Sequence, residues 1–115
     1  LHVQVSRVPA ACLLTDAPVG EPSRAIRERV CNARARQLAR QGCPNSQLPV
    51  SALVSTCLSG ECQKKAVEQA ANQLQLSARS VHRLLRVALT ISDLAGQEGV
   101  GEDHIGEALG YRGTA

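Results

Sequence analysis

The sequence predicts an all-α fold, a bundle of four or five helices. In several stretches the apolar residues recur every three to four positions, which is the spacing of one face of a helix. Cap residues, prolines and glycines divide these stretches into lengths that suit a small bundle. The 115 residues contain enough leucine, valine, isoleucine and alanine to fill one core.

The first 20 residues are predicted to differ from the rest. Residues 1 to 5 alternate apolar and polar side chains as a strand does, but the chain offers no second strand to pair with them. Residues 6 to 20 contain two prolines and a glycine and are typical of a linker. Because the chain begins with leucine and contains no methionine, we expect a piece of a longer protein. Residues 1 to 20 would then hold a severed strand and a linker, and residues 21 to 115 a helical domain.

The first helix is predicted from Pro22 to Gln41, with Gly42 just past its end. Its narrow apolar stripe consists of Ile26, Val30 and Ala33. Arginines flank this stripe, with Arg27 and Arg34 on one side and Arg29, Arg36 and Arg40 on the other. A charged helix of this kind is usually a solvated face, and a contact of the second group with DNA or with another subunit is the alternative.

Two further helices are predicted between residues 50 and 74. A turn-rich loop from Cys43 to Pro49 leads to a short helix from Val50 to Cys57. A third helix follows from about Gly60 to Leu74, with Ser59 as its cap. Its apolar face consists of Cys62, Ala66, Val67, Ala70 and Leu74.

The fourth helix, over residues 76 to 95, carries the most informative pattern. Its apolar face consists of Val81, Leu84, Leu85, Ala88, Ile91 and Ala95. On the opposite side Arg79, Arg83 and Arg86 lie within roughly 60° of one another around the helix axis. Leu76 before the helix and Val81 inside it are spaced as a hydrophobic staple. The pattern therefore predicts a firmly seated helix with one cationic stripe.

Arg79 is an unusual residue for its position. Ser77 is a good N-cap, so Arg79 becomes the second helical residue. The helix dipole disfavours a cation there by a few tenths of a kcal/mol to about 1 kcal/mol. Free backbone N–H groups together with a guanidinium would suit a phosphate group. Two interpretations stay open at this point: a phosphate site, or a solvated arginine on a capped surface helix.

The last helix is predicted from about Glu102 to Tyr111 and is the weakest. Gly106 and Gly110 each cost it up to about 1 kcal/mol, so tertiary contacts must hold it.

Charge is also divided along the chain. Residues 24 to 40 carry six arginines and one glutamate, whereas residues 87 to 115 carry five acids and one arginine. Such a division suits docking between neighbouring domains or subunits.

Composition excludes several classes of function. The five cysteines are odd in number and lack the spacing of metal-binding pairs, which indicates reduced thiols and no metal site. Cys31 and Cys62 fall on or beside apolar faces, where we expect them to be buried. A single aromatic residue argues against base stacking on single-stranded nucleic acid. No apolar stretch approaches the ~18 residues that span a membrane, and nothing resembles a signal peptide, so we expect a cytoplasmic protein without a membrane partner.

Two segments resemble a known family. Residues 76 to 96, LSARSVHRLLRVALTISDLAG, and residues 104 to 112, HIGEALGYR, are similar to the C-terminal region of bacterial magnesium-chelatase-like AAA+ ATPases, in particular the ComM/YifB group. The likeness extends over nearly the whole chain. It implies that the helical bundle is the AAA+ lid over the nucleotide, and that residues 1 to 5 are the last strand of the ATPase core.

The resemblance also implies roles for the arginines. Arg79, in the Ser-x-Arg start of its helix, would be the sensor 2 residue that contacts ATP, with Arg83 and Arg86 as neighbours. ATP and Mg²⁺ would be bound by the full-length parent, whose own AAA+ core is the first partner. Members of the group are implied to be hexameric ring motors that act on DNA in competence, whereas other chelatase relatives insert metal into porphyrins.

The chain lacks the parts that would make it an ATPase by itself. It contains no G-x-x-x-x-G-K-[ST] phosphate loop and no acidic strand end for Mg²⁺. We therefore expect no catalytic residue in this piece and no nucleotide bound by it alone. The alternative function is a stand-alone basic helical module that binds DNA or mediates oligomerisation through its basic first helix and acidic last helix.

Overall fold

The structure, a computed structural model, describes residues 1, 3, 5, 20–58 and 60–111 and is all-helical over them. The five α-helices are α1 (Ser23–Gln41), α2 (Val50–Cys57), α3 (Glu61–Leu74), α4 (Ala78–Leu94) and α5 (Glu102–Gly110). A short 3-10 turn, Asn45–Gln47, lies between α1 and α2. The predicted all-α bundle and all five helices are confirmed. The division at residue 20 and the strand at residues 1 to 5 stay predictions, because most of these residues lie outside the described part.

Helix α4 is the centre of the bundle. It packs against α1, α2 and α5, and α3 packs against α5. The largest fully buried side chains include Leu53 of α2 and Leu85 of α4. The core around them consists of Leu48, Cys57, Val67, Leu84, Ala88, Leu89, Val100, Ile105 and Ala108. Burial of this face positions α4, and with it the cationic stripe on its other side.

Only the C-terminal half of helix α1 packs into the bundle with buried side chains. The helix begins after Pro22 and ends at Gly42, which has the left-handed φ of 75° and donates its N–H to the carbonyl of Leu38. Of the predicted apolar stripe, Ala33 is buried, whereas Ile26 and Val30 are exposed. The narrow apolar stripe is therefore buried only at Ala33. Only Ala33 and Gln37 of α1 are buried, and both lie in its C-terminal half.

The start of α4 has the predicted geometry. The Ser77 Oγ accepts a hydrogen bond from the Ser80 N–H at 3.1 Å, and the Ser77 carbonyl accepts one from Val81. Leu76 and Val81 both pack against the core. The N-cap is confirmed, and Arg79 is the second residue of the helix, as predicted.

The contacts that hold α5 come mainly from its first turn and from the loop before it. The imidazole Nδ1 of the buried His104 accepts a hydrogen bond from the Gly101 N–H at 2.9 Å. The Ser92 Oγ of α4 donates to the Gly99 carbonyl at 2.9 Å. Together with the buried Ile105, these contacts offset the two glycines within the helix.

The cysteines are distributed differently from the expectation. Cys57 is buried, but Cys31 and Cys62 are exposed. Cys31 is exposed because it lies two residues before the buried Ala33 and so on the opposite side of α1. All four described cysteines are free, and Cys12 lies outside the described residues.

Candidate functional site

The arginine stripe of α4 is divided into two parts. Arg79 and Arg83 are exposed and make no hydrogen bond or ion pair with any described residue. Arg86, one turn further along, is half-buried, and its Nη1 donates to the carbonyl of Asn45 at 2.6 Å. The sequence grouped the three arginines together. The structure leaves two of them facing solvent and uses the third within the fold.

The exposed end of the stripe is suited to an anion. The Ser77 side chain and carbonyl satisfy the N–H groups of Ser80 and Val81. The N–H groups of Ala78 and Arg79 have no acceptor among the described residues. The positive end of the helix dipole and the Arg79 guanidinium therefore lie at the same end of α4. Arg83 adds a second cation one helical turn away.

The C-terminal part of the same stripe is covered by a polar cluster. Arg40 of α1 forms a two-pronged ion pair with Asp93 of α4, with N–O distances of 2.8 and 3.2 Å. The Asp93 side chain is completely buried, and the Arg40 side chain is 30% exposed. The pair joins the end of α1 to α4 across 53 residues of sequence.

Asn45 lies at the centre of this cluster and is buried. Its backbone N–H donates to the Gln37 side chain, and its carbonyl accepts from Arg86. Its amide nitrogen donates to Thr90 and Asp93, and its amide oxygen accepts from Arg40 and Gln41. Every polar group of Asn45 thus has a partner, and the described residues contain no buried side-chain N or O atom without one.

The sequence reasoning missed this cluster, although it contained one signal. Thr90 follows Arg86 by four residues and Asp93 follows Thr90 by three, so they continue the arginine stripe along α4. An aspartate on a stripe of arginines is a candidate ion-pair partner for another helix. No comparable signal existed for Asn45, which lies in the 3-10 turn and becomes buried only through tertiary packing.

The three α1 arginines predicted to contact DNA or a subunit are engaged within the chain. Arg29 forms an ion pair with Glu21, and Arg36 donates to the carbonyl of Gln97 at 3.0 Å. Arg40 belongs to the polar cluster. The α1 arginines that make no such contact with described residues are Arg24, Arg27 and Arg34. The contact of Arg29, Arg36 and Arg40 with DNA or a subunit stays a prediction.

Two further searches concern only the part of the chain that the structure describes. It contains no group of three or more histidine, cysteine, aspartate or glutamate side chains placed to hold a metal ion. None of its helices is both long enough and apolar enough to cross a lipid bilayer.

The comparison with protein families is decisive for identity. The family described as magnesium chelatase, subunit ChlI C-terminal, matches residues 20–112. The chain belongs to this family. The match includes every helix of the bundle and the exposed start of α4, so the family assignment covers both the fold and the candidate site.

Curated relatives from bacteria share the family region. Competence protein ComM of Haemophilus influenzae is 36% identical over 112 residues, which is 97% of this chain and 22% of ComM. The YifB proteins of Salmonella typhimurium and Escherichia coli are each 31% identical over 112 residues. The chain spans about a fifth of the length of these relatives, 22% in each case. The chain therefore corresponds to the C-terminal domain of a magnesium-chelatase-like protein, and ComM is one of its homologues.

Proposed function

We propose that this domain is the helical lid of a magnesium-chelatase-like AAA+ ATPase and that Arg79 is its sensor 2 residue. One observation carries the proposal. Arg79 is the second residue of a capped, firmly packed helix, yet its side chain is exposed and makes no contact with a described acceptor. Local stability does not explain a cation at this position, whereas a phosphate ligand does.

The role of Arg79 would be electrostatic. Its guanidinium would donate two parallel N–H bonds to oxygens of the β/γ-phosphate region of ATP, which is bound with Mg²⁺ by the AAA+ core. The free N–H groups at the start of α4 add to the positive field. Charge stabilisation as the γ-phosphate leaves is the main contribution that residues of this kind make. Arg83 would support the field from the next turn, and Arg86 would act through the fold.

The polar cluster gives the lid a way to transmit movement. Arg40, Asp93 and Asn45 join α4 to the end of α1 through buried, fully satisfied hydrogen bonds. Displacement of α4 on nucleotide binding would therefore move α1 with it as one body. The likeness to a competence protein favours a cytoplasmic hexameric ring that acts on DNA over metal insertion.

The proposal is tested in the full-length protein by Arg79→Ala and Arg79→Lys, with Arg24→Ala as the matched control. Arg24 is also an exposed second residue of a helix without a described partner. We expect Arg79→Ala to lower ATP turnover by at least about tenfold, because a phosphate-stabilising donor is removed. Arg79→Lys should retain part of the activity and Arg24→Ala all of it. Unchanged turnover in a folded Arg79→Ala protein would refute the sensor role.

A further inference from the structure

The N-terminal half of α1 continues the packing face of the helix, but its apolar side chains there are exposed. Val30 lies three residues before the buried Ala33, and Ile26 lies four residues before Val30, so both are on the same side of the helix as Ala33. Ile26 is 43% exposed and Val30 is 52% exposed. Arg27 and Arg34 lie beside them and are exposed without an ion partner among the described residues. We call Ile26, Val30, Arg27 and Arg34 the α1 ridge.

The opposite charge lies on the loop before α5 and on α5 itself. The acidic residues there are Glu98, Glu102, Asp103 and Glu107. All four are exposed, and none forms an ion pair with a described lysine or arginine. Asp103 lies 3.8 Å from the His104 imidazole, and Glu107 accepts a hydrogen bond from Tyr111. Two oppositely charged surfaces of one chain thus both lack ionic partners within it.

An apolar groove of about 630 Å³ is lined by α4, by the 3-10 turn and by the end of α5, where Glu107 brings one residue of the acidic surface to it. Its α4 lining includes the apolar Ile91, Leu94 and Ala95 and also Arg86. Leu94 is 42% exposed, which is unusual for a leucine of a central helix. Leu1 and Val3 also line the groove but remain largely exposed, so they do not close it. We call this site the α4–α5 groove.

We propose that the α1 ridge of one copy of this chain docks in the α4–α5 groove of a second copy. Ile26 and Val30 would cover the apolar floor, while Arg27 and Arg34 would face the carboxylates of α5. The ridge and the groove are different surfaces, so the contact is head to tail and can be repeated around a closed ring. The inference deepens the ring assembly proposed above by naming the two faces of the lid that meet in it.

The composition of the ridge favours a protein partner over DNA. Binding to a phosphate backbone relies on cations and released counterions. Two exposed β-branched residues between the arginines add nothing to such binding, whereas they suit an apolar groove with an acidic rim. One half of a helix is also smaller than the roughly 800 Å² per partner of a stable interface. The contact should therefore be weak in isolation and salt-sensitive.

The test is sedimentation of the 115-residue chain at low and high salt over a wide concentration range. We expect reversible, concentration-dependent association at low salt that weakens as salt rises. The double variants Arg27→Glu/Arg34→Glu and Asp103→Lys/Glu107→Lys should each weaken self-association by at least about tenfold, because like charges then face each other. Lys64→Glu/Lys65→Glu on α3 is the matched control and should associate as the parent does.

The decisive measurement mixes the two charge-reversed variants in equal amounts. Each fails to bind itself, but the acidic ridge of one faces the basic groove rim of the other, so association should return in the mixture. Absence of association in the parent, or no recovery in the mixture, would overturn the proposal. Duplex DNA binding that is lost in Arg27→Glu/Arg34→Glu without any self-association would assign the ridge to nucleic acid instead. If a variant unfolds by circular dichroism, the neutral pair Arg27→Gln/Arg34→Gln replaces it.

Failure of this interface and failure of the nucleotide role can be told apart. Neither double variant changes Arg79 or the start of α4. Arg79→Ala should leave self-association intact, and the charge-reversed variants in the full-length protein should retain nucleotide affinity even where assembly is lost.

Discussion

Asn45 shows how a single residue can determine the relation between two helices. A buried amide is costly unless each donor and acceptor has a partner. Here six hydrogen bonds connect Asn45 to the other elements, three to α1 and three to α4. The same bonds can form in only one arrangement of these elements, so the cluster selects a register as well as adding stability.

Removal of the Asp93 carboxylate should be strongly destabilising. Loss of one partner of a buried ion pair costs about 3 to 5 kcal/mol, and we expect about 3 kcal/mol for Asp93→Ala because the partly exposed Arg40 can be hydrated instead. Urea unfolding measures the change. Glu28→Ala, which removes an exposed carboxylate from α1, should stay within about 0.5 kcal/mol of the parent. Equal effects of the two variants would contradict a structural role for the cluster.

The Cys57 thiol should be the least reactive of the described cysteines. Burial raises its pKa from 9.0 to about 11, with Asp93 adding to the rise and Arg40 opposing it. The thiolate is the reactive form, so near neutral pH a shift of this size lowers its fraction about a hundredfold relative to an ordinary thiol. Timed thiol labelling followed by mass spectrometry should modify Cys31 and Cys62 first.

The sign of the pH effect on Cys57 follows from the same shift. A thiol whose pKa is raised in the folded state favours folding fully below about pH 9, and this contribution is lost as the pH rises towards about 11. Labelling of Cys57 should therefore accelerate in that range or in denaturant. Labelling of Cys57 as fast as Cys31 at pH 7.5 in native buffer would show that the site opens readily.

At the scale of the element, α4 combines three environments along one helix. Its apolar face forms the centre of the core, its first two turns present the exposed Arg79 and Arg83, and its last two turns carry the buried part of the stripe. The change from exposed to buried occurs at Arg86, where the 3-10 turn comes into contact. A rigid helix with a free cationic end is what a nucleotide-sensing role requires.

Two glycine substitutions should change helix stability in opposite directions. Gly106 lies inside α5, and a Cβ there would meet nothing within 4 Å. Gly106→Ala should raise stability by about 0.5 to 1 kcal/mol through helix propensity. Gly42 ends α1 with a φ of 75°, so Gly42→Ala should lower stability by about 1 kcal/mol despite equally open space. Thermal unfolding of both variants measures the contrast, and a loss for Gly106→Ala would mean that α5 is not a regular helix.

At the scale of the whole molecule, the core and the free charges lie in different parts of the bundle. The core surrounds α4, whereas the free positive and negative charges lie on α1 and on the α5 side. The net charge of +3 therefore conceals two surfaces of opposite sign. Separation of this kind favours oriented association of copies or domains over a purely nonspecific attraction.

Much of the fold was predictable because the residue types at helix ends indicate where each helix begins and ends. The positions of Pro22, Gly42 and Ser77 predicted where helices begin and end, and the structure confirms them. The apolar periodicity of α4 predicted its buried face. The coverage of α1 was not predictable, because a stripe such as Ile26, Val30 and Ala33 states which side is apolar but not how far a neighbouring helix extends along it.

The sequence by itself determined the five helices, the cap at Ser77 and therefore the place of Arg79 at the start of α4. These features depend on interactions within about one helical turn, which a linear pattern records. Only the tertiary structure decided which arginines remain free. Arg40 and Asp93 are 53 residues apart, and Arg86 and Asn45 are 41 apart. Such pairs form only when packing removes both groups from water. The sequence pattern does not indicate which residues so far apart in the chain will be brought together.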